Sequence, residues 1–236
     1  MGDIQKKIEV FLRSFIDKGG YQRVLEGLQN TAIIAIIGLL IGLVLGTLIA
    51  AVRVQQQYKW YTRFFQKLLG IYVAFFRGTP IVVQLLLGYY VLMPLLGIRT
   101  SSVIVCVIVF GLNSSAYMSE IMRAGIQSVD PGQMEAGRAV GMTYSSTMLR
   151  IVVPQAIKNI LPSLGNEFIA LIKETSVVSF VGATDLFVAF SYIGSNNYEF
   201  MVPYIVMALI YIIIVAAITL LIKVTEKGMA KSDRSR

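Results

Sequence analysis

Hydrophobic residues fill this chain in long runs, and the polar positions that interrupt them fall at a few well-separated places. Thr31 to Val52 carries no charge and is long enough to cross a bilayer as a helix, which takes about 20 residues. Gly38, Gly42 and Gly46 recur on one of its faces, and small residues at that spacing let a second helix approach closely. A basic stretch with Arg53, Lys59 and Arg63 follows. The next run, TRFFQKLLGIYVAFFRGTPIVVQLLLGYYVLMPLLG, exceeds one span and is cut at Arg77-Gly78-Thr79-Pro80. Pro80 donates no backbone hydrogen bond and disfavours helical geometry at Thr79, while Gly78 relaxes the chain. The pattern predicts a short helix to about Phe76, a break, and a second span from Pro80 to about Leu96. Irregular backbone at membrane depth persists only where protein buries it or where it lines a cavity. Arg77 has two readings, one at that break and one snorkelling to the interface.

Ser101 to Ser119 is the third span. It leads into Glu120, and Asn113, Tyr117 and Glu120 share one helix face, as the spacing i, i+4, i+7 requires. A polar stripe on a membrane helix faces the bundle interior or a water-filled path. The chain is polar from Gly125 to about Ile160, after which ILPSLGNEFIALIKETSVVSFVGATDLFVAF returns to lipid. Glu167 and Glu174 fall on one face, with Lys173 beside the second. Ser191 to Tyr198, without Lys or Arg, reads as an outer loop. Met201 to Ile222 is the last span, and a basic tail with Lys223, Lys227, Lys231, Arg234 and Arg236 follows it. The expected fold is therefore all-α and polytopic, with about five transmembrane helices. Its parts are an amphipathic N-terminal arm (1–26), a single transmembrane domain (27–227, with a polar loop at about 124–160) and a basic tail (228–236).

Composition sharpens this. Hydrophobic residues make up 56% of the chain and charged ones 14%, against about a quarter charged in soluble domains. There is no histidine and only one cysteine, Cys106, in an apolar run where it packs. Histidine-dependent catalysis and histidine-rich metal sites are excluded. Serine–histidine and paired-aspartate hydrolysis have no residues to use, so no catalytic, cofactor or metal residues are assigned. The net charge of +8 flanks the apolar runs as in cytoplasmic membrane loops, and no nucleic acid partner is implied. The basic loops and tail fall inside if the N-terminus is outside, although the arm carries five Lys/Arg of its own. Its stripe of Ile4, Ile8, Phe11, Leu12, Phe15 and Ile16 fits a helix on the bilayer surface, and a partly disordered arm is the other reading.

One polar segment, DPGQMEAGRAVGMTYSSTMLRIVVP, has the signals of a short helix. Asp130 suits the N-cap, Pro131 the first helical position, Gln133 a capping box, and Gly141 the left-handed residue that ends it. Ala136, Gly137 and Ala139 give it a small-residue side. So short a helix needs something to dock on, either another protein or its own spans.

Glu135-Ala136-Gly137, then Gly141, then Ile151 and Pro154 resembles the EAA loop of bacterial ABC importer membrane subunits, with Gly137 and Val153 departing from the pattern. FFRGTPIVVQ, LNSSAYMSEIMRAGI and LPSLGNEFIALIKETS are similar to the subfamily for histidine, glutamine, glutamate, arginine and cystine. The likeness covers roughly residues 27–227. It implies the permease subunit of a type I ABC importer in a bacterial cell membrane, with its N-terminus outside and C-terminus cytoplasmic. It further implies a second permease subunit, identical or homologous, a cytoplasmic ATPase dimer that carries the ATP and magnesium, and an extracytoplasmic amino-acid-binding protein. Glu135, Ala136, Gly137, Arg138 and Gly141 would form the ATPase contact, and this chain has no phosphate-binding G-x-x-x-x-G-K-[ST] loop of its own. Gln84, Asn113, Tyr117, Glu120 and Glu167 are candidates for the substrate path. A structural alternative pairs Glu120 with Arg123 and Glu167 with Lys173. An ion-coupled secondary transporter or a channel is the alternative class, although no repeat relates the two halves.

Overall fold

A computed structural model describes residues 2–55 and 59–234, with side chains to residue 228. All regular structure among the described residues is helical. The tail positions Lys231, Arg234 and Arg236 lie outside the described side chains. The helices are α1 (Gly2–Leu12), α2 (Gly20–Arg53), α3 (Trp60–Gly78), α4 (Ile81–Leu87), α5 (Met93–Leu95), α6 (Ser102–Gln127), α7 (Pro131–Ala139), α8 (Tyr144–Thr147), α9 (Val153–Glu174), α10 (Leu186–Ser195) and α11 (Met201–Arg234).

Three helices are long and apolar enough to cross a membrane, namely α2, α6 and α11 up to Gly228. Two bent segments raise the number to as many as five: α3 with Ile81–Leu95, bent by 109°, and Tyr144–Val181 with α10, bent by 56°. Both bends have local causes. Pro80 carries no N–H for the carbonyl of Phe76, so the helix cannot continue through it. At the second bend Gly182 takes a left-handed φ of +72°, and the buried carboxylate of Asp185 then caps α10 by accepting from Val188 N at 2.9 Å.

Two lengths differ from the expectation. The third span runs to Gln127 rather than Ser119, because Glu120 has arginine partners and need not end the helix. The first half of the broken segment is 19 residues, to Gly78, and not a short helix ending near Phe76.

The glycine stripe of α2 packs on α6 as its spacing predicts. A Cβ on Gly42 would lie 2.4 Å from Ser114 Oγ, and one on Gly46 would lie 2.5 Å from Met118 Cβ. From the other side, Gly111 of α6 receives Ile41. The core continues from this seam through Ile34, Phe110, Leu171 and Val178, all nearly inaccessible. Cys106 is free and buried there. Further contacts of the same kind add α9 and α11: Gly125 of α6 meets Ile160, and Gly165 of α9 meets Ile222. Such close helix contacts supply the dispersion that holds membrane helices together where lipid is as apolar as leucine.

The arm is a helix, and Gly19 (φ +71°) separates it from α2. Ile4, Ile8 and Ile16 are exposed, whereas Phe11 is buried and Phe15 packs with it against α10 and α11. Some of the charges of the arm and of the start of α2 have partners. Lys7 lies 3.8 Å from Asp3 and 3.6 Å from Glu199, and Arg23 of α2 stacks 3.7 Å over Tyr192.

The α2–α6 seam has no room for a side chain at Gly46. Gly46→Leu is expected to lower stability by about 1–3 kcal/mol, read as a lower unfolding temperature in detergent. Leu40→Ala, on the exposed face of the same helix, should leave that temperature nearly unchanged.

Candidate functional site

The break at Pro80 organises one group of polar residues. The carbonyl of Phe76 loses its helical partner there, and side chains bond it and its neighbours. Thr79 Oγ1 donates to Phe75 O at 2.8 Å. Gln84 Nε2 lies 2.9 Å from Phe76 O, 3.0 Å from Thr79 O and 2.9 Å from Thr79 Oγ1. Asn113 Nδ2, from α6, donates to Gln84 Oε1 at 2.9 Å and lies 3.3 Å from Phe76 O. Gln84 and Asn113 are both buried. The two amides thus close the break and fasten it to α6, which is how irregular backbone survives at depth. Tyr72 adds a second tie, its hydroxyl donating to Leu112 O at 2.9 Å and lying 2.6 Å from Ser115 Oγ.

Just before the break, Arg77 in the last turn of α3 turns toward α6. Its guanidinium lies 5.5 Å over the Tyr117 ring and 4.0 Å from Glu120. Glu120 also binds Arg53 at the end of α2 and Arg123 one turn along α6, the latter at 2.6 Å and 3.1 Å. One carboxylate therefore holds the ends of three helices together. The Glu120–Arg123 pair foreseen in the sequence is present, but Arg53 and Arg77 belong to the same cluster. The cluster borders an open cavity of about 650 Å³ between α6 and α9, whose polar lining includes Arg77, Glu120, Ser128, Asn159 and Ser163.

Glu167 stands apart from this cluster, half-buried on α9. No Glu167–Lys173 ion pair occurs among the described residues. The five sequence candidates therefore separate into an amide pair at the break (Gln84, Asn113), a pair beside the cavity (Tyr117, Glu120) and Glu167.

The loop segment forms helix α7 where the capping signals place it. Asp130 Oδ1 accepts from Gly132 N at 2.8 Å, and Pro131 opens the helix. Gly141 (φ +87°) ends it. Met142 N then reaches Gly137 O at 3.1 Å and Gly141 N reaches Arg138 O at 3.0 Å, a Schellman closure. The expected capping box is replaced, since Gln133 Oε1 accepts from Gln155 Nε2 at 3.3 Å. Gly137 faces inward: a Cβ there would lie 2.4 Å from Thr147 Cγ2, and Thr147 is itself buried. Glu135, Ala136, Arg138, Ala139 and Val140 are exposed, Val140 at 78%.

Sequence reasoning missed three things here. Arg53 was visible only as a loop charge, and Val140 only as a loop apolar residue. Asn159, which donates to Ser128 Oγ at 2.9 Å, sat at the edge of the polar stretch. The i, i+4 relation of Asn159 to Ser163 was the one available signal.

The geometry is that of a polytopic transport subunit: glycine-packed spans, a sealed helix break, a polar cavity and one capped loop helix outside the apolar core. The chain belongs to the family of binding-protein-dependent transport system inner membrane components, whose profile matches residues 38–231. It is 36% identical to the arginine transport system permease protein ArtQ of Bacillus subtilis over 212 residues, covering 89% of this chain and 94% of that protein. It is 38% identical to the putative glutamine transport system permease protein GlnP of Rickettsia bellii over 209 residues, with 89% and 94% covered. A chain in the crystal structure of an amino acid ABC transporter with histidines superposes with a TM-score of 0.81 at 37% identity, covering 91% of this chain and 98% of that one. The MetNI methionine ABC transporter, inward facing, shares the fold at a TM-score of 0.68 and 18% identity, covering 88% and 94%. This chain is thus a multi-pass membrane permease subunit with the type I ABC importer fold.

If the amides seal the break, Gln84→Leu leaves buried carbonyls bare and is expected to cost about 1–3 kcal/mol. Asn113→Leu added to it should cost less than Asn113→Leu alone, since both act on one network. Thermal unfolding of the single and double variants in detergent measures the coupling, and strict additivity would separate the two residues.

Proposed function

We propose that this chain is the membrane subunit of an ATP-driven amino acid importer and that α7 is its coupling helix. The observation carrying the reading is the two-sided construction of α7. One side is locked to its own chain through Gly137–Thr147 and Gln133–Gln155, while Glu135, Ala136, Arg138 and Val140 stay exposed for a partner. A helix this short is stable only when packed, and its outward face has nothing of this chain to pack on. The partner is a cytoplasmic ATPase dimer that carries ATP and magnesium, one ATPase per permease subunit. A second permease, identical or homologous, completes the membrane portion, and an extracytoplasmic binding protein delivers the substrate. This orientation puts the N-terminus outside and the C-terminus in the cytoplasm of a bacterial cell. The end carrying α7, Arg53, Arg63 and Arg123 then faces inward, as the positive-inside rule asks.

An amino acid as substrate is supported by the names of the similar permeases, for arginine and glutamine, and of L-cystine permease TcyB of Bacillus subtilis. Transport proceeds by alternating access. ATP binding draws the coupling helices together and opens the spans outward, and hydrolysis resets them. Tyr117, Glu120 and Glu167 form the polar wall of the path, and Gln84 and Asn113, both buried, support it from behind. Gln84 and Asn113 hold the break in shape, and Glu120 is balanced by arginines. Tyr117 and Glu167 present the less committed polar groups, and Glu167 offers a carboxylate to an α-ammonium.

Uptake by vesicles containing the permease and its ATPase tests the coupling. Glu135→Arg is expected to cut ATP-driven amino acid uptake at least tenfold, a loss of ~1.4 kcal/mol or more in coupling, with the permease still folded because Glu135 is exposed. Unchanged uptake would remove α7 from the coupling role. Glu167→Gln is expected to lower uptake while leaving ATPase association intact.

A further inference from the structure

A second pocket, at the junction of α2, α3 and α6, has no part in the transport reading. Its volume is about 350 Å³, and Arg53, Arg63, Gln66, Lys67, Arg123 and Gln127 line it, four cations and two amides without a carboxylate. The walls are held by specific bonds. Gln66 Nε2 donates to Val52 O at 3.1 Å and to Gln55 O at 2.8 Å, satisfying carbonyls at the end of α2 and fixing the start of α3 against it. Arg123 donates to Gln127 Oε1 at 3.0 Å. Glu120, outside the lining, holds Arg53 and Arg123 in place. Lys67 makes no ion pair among the described residues.

The surroundings of the pocket say which anion fits. α3 is amphipathic. Its exposed apolar face carries Phe64, Phe65, Leu68 and Ile71, each more than half accessible. Lys59, Trp60 and Tyr61 stand at its start, the residue types that mark the boundary between headgroups and acyl chains. α2 leaves its apolar run at Arg53, beside the pocket. A cationic pocket and a bare apolar helix face therefore meet at one depth. A soluble anion would use only the first.

We propose that this pocket binds the phosphate of an anionic phospholipid, whose acyl chains lie along the exposed face of α3. The proposal rests on the membrane location of the chain and not on coupling to an ATPase. Each cation near an anionic membrane surface favours an acidic lipid about fivefold.

The chain's single tryptophan, Trp60, reports on the site. It precedes Arg63 by three residues and Lys67 by seven, so all three share a face of α3. The full chain would be reconstituted in phosphatidylcholine vesicles at fixed ionic strength, with increasing fractions of lipid brominated on its acyl chains. Brominated phosphatidylglycerol is expected to reach half-maximal quenching of Trp60 at a mole fraction at least ~10-fold lower than brominated phosphatidylcholine does. Lys67→Gln should reduce that preference about fivefold, and Lys67→Arg should keep it, which separates loss of charge from loss of fold. Equal quenching by the two lipids would overturn the proposal. So would a preference that Lys67→Gln leaves unchanged, since that would be attraction to the whole basic surface. Abolition of the preference by millimolar inorganic phosphate would also overturn it, by making the pocket a site for a soluble anion.

Discussion

No backbone polar group can be left bare at membrane depth, and the structure depends most on how this rule is met at Pro80. Without the proline, α3 would continue into α4 and there would be no bend. With it, the carbonyls of Phe76 and Thr79 need new partners, and Gln84 and Asn113 supply them. Because Asn113 belongs to α6, satisfying the break also docks it. The 109° turn then follows, and with it the approach of Arg77 to Tyr117 and Glu120. An amide pair, neutral and able both to donate and to accept, suits this task. A charged side chain in the same place would have to be paired or desolvated at far greater cost.

The glycine seam between α2 and α6 is the second constraint, and it acts in concert with the first. Close approach of the two helices brings the end of α2 within reach of Glu120, so that Arg53 meets a carboxylate that is 67 positions away in sequence. The ion cluster is therefore a product of helix packing. Buried carboxylates with a single partner are poor sources of stability. Three arginines around one partly buried carboxylate instead fix the relative position of α2, α3 and α6 at their shared end. That geometry also builds the basic pocket.

Much of this was legible in the sequence because it is local. Apolar runs gave the spans, and every fourth glycine gave the packing face. Asp130, Pro131 and Gly141 gave both ends of α7, since capping depends on residues within one turn. What could not be read depends on distant partners. Gln84 looks like a path residue until the carbonyls it serves are located, and nothing in the chain pairs Glu120 with Arg53 before the helices are packed. The side of α7 that Gly137 occupies was equally hidden. Small residues permit close approach, but they do not say whether the approaching atoms belong to the same chain. The capping box failed for a related reason, because Gln155, 22 positions on, competes for the side chain of Gln133.

The inward face of Gly137 bears on how a loop helix could move a membrane domain. If α7 packed only on a partner, it could slide without disturbing the spans. Thr147 of α8 fills the space over Gly137, and Gln155 at the start of α9 bonds Gln133, so α7 is joined to α8 and to α9 at one point each. One turn further along α9, Asn159 bonds Ser128 and Ile160 presses on Gly125, both on the α6 side of the cavity. A displacement of α7 must therefore carry the first turns of α9 with it, and those turns form one wall of the cavity that Glu120 and Arg77 border. The buried glycine ties α7 to α8, and the Gln133–Gln155 bond ties it to the first turn of α9. A larger residue at 137 would push Thr147 away and loosen that joint, even with the exposed face of α7 unchanged.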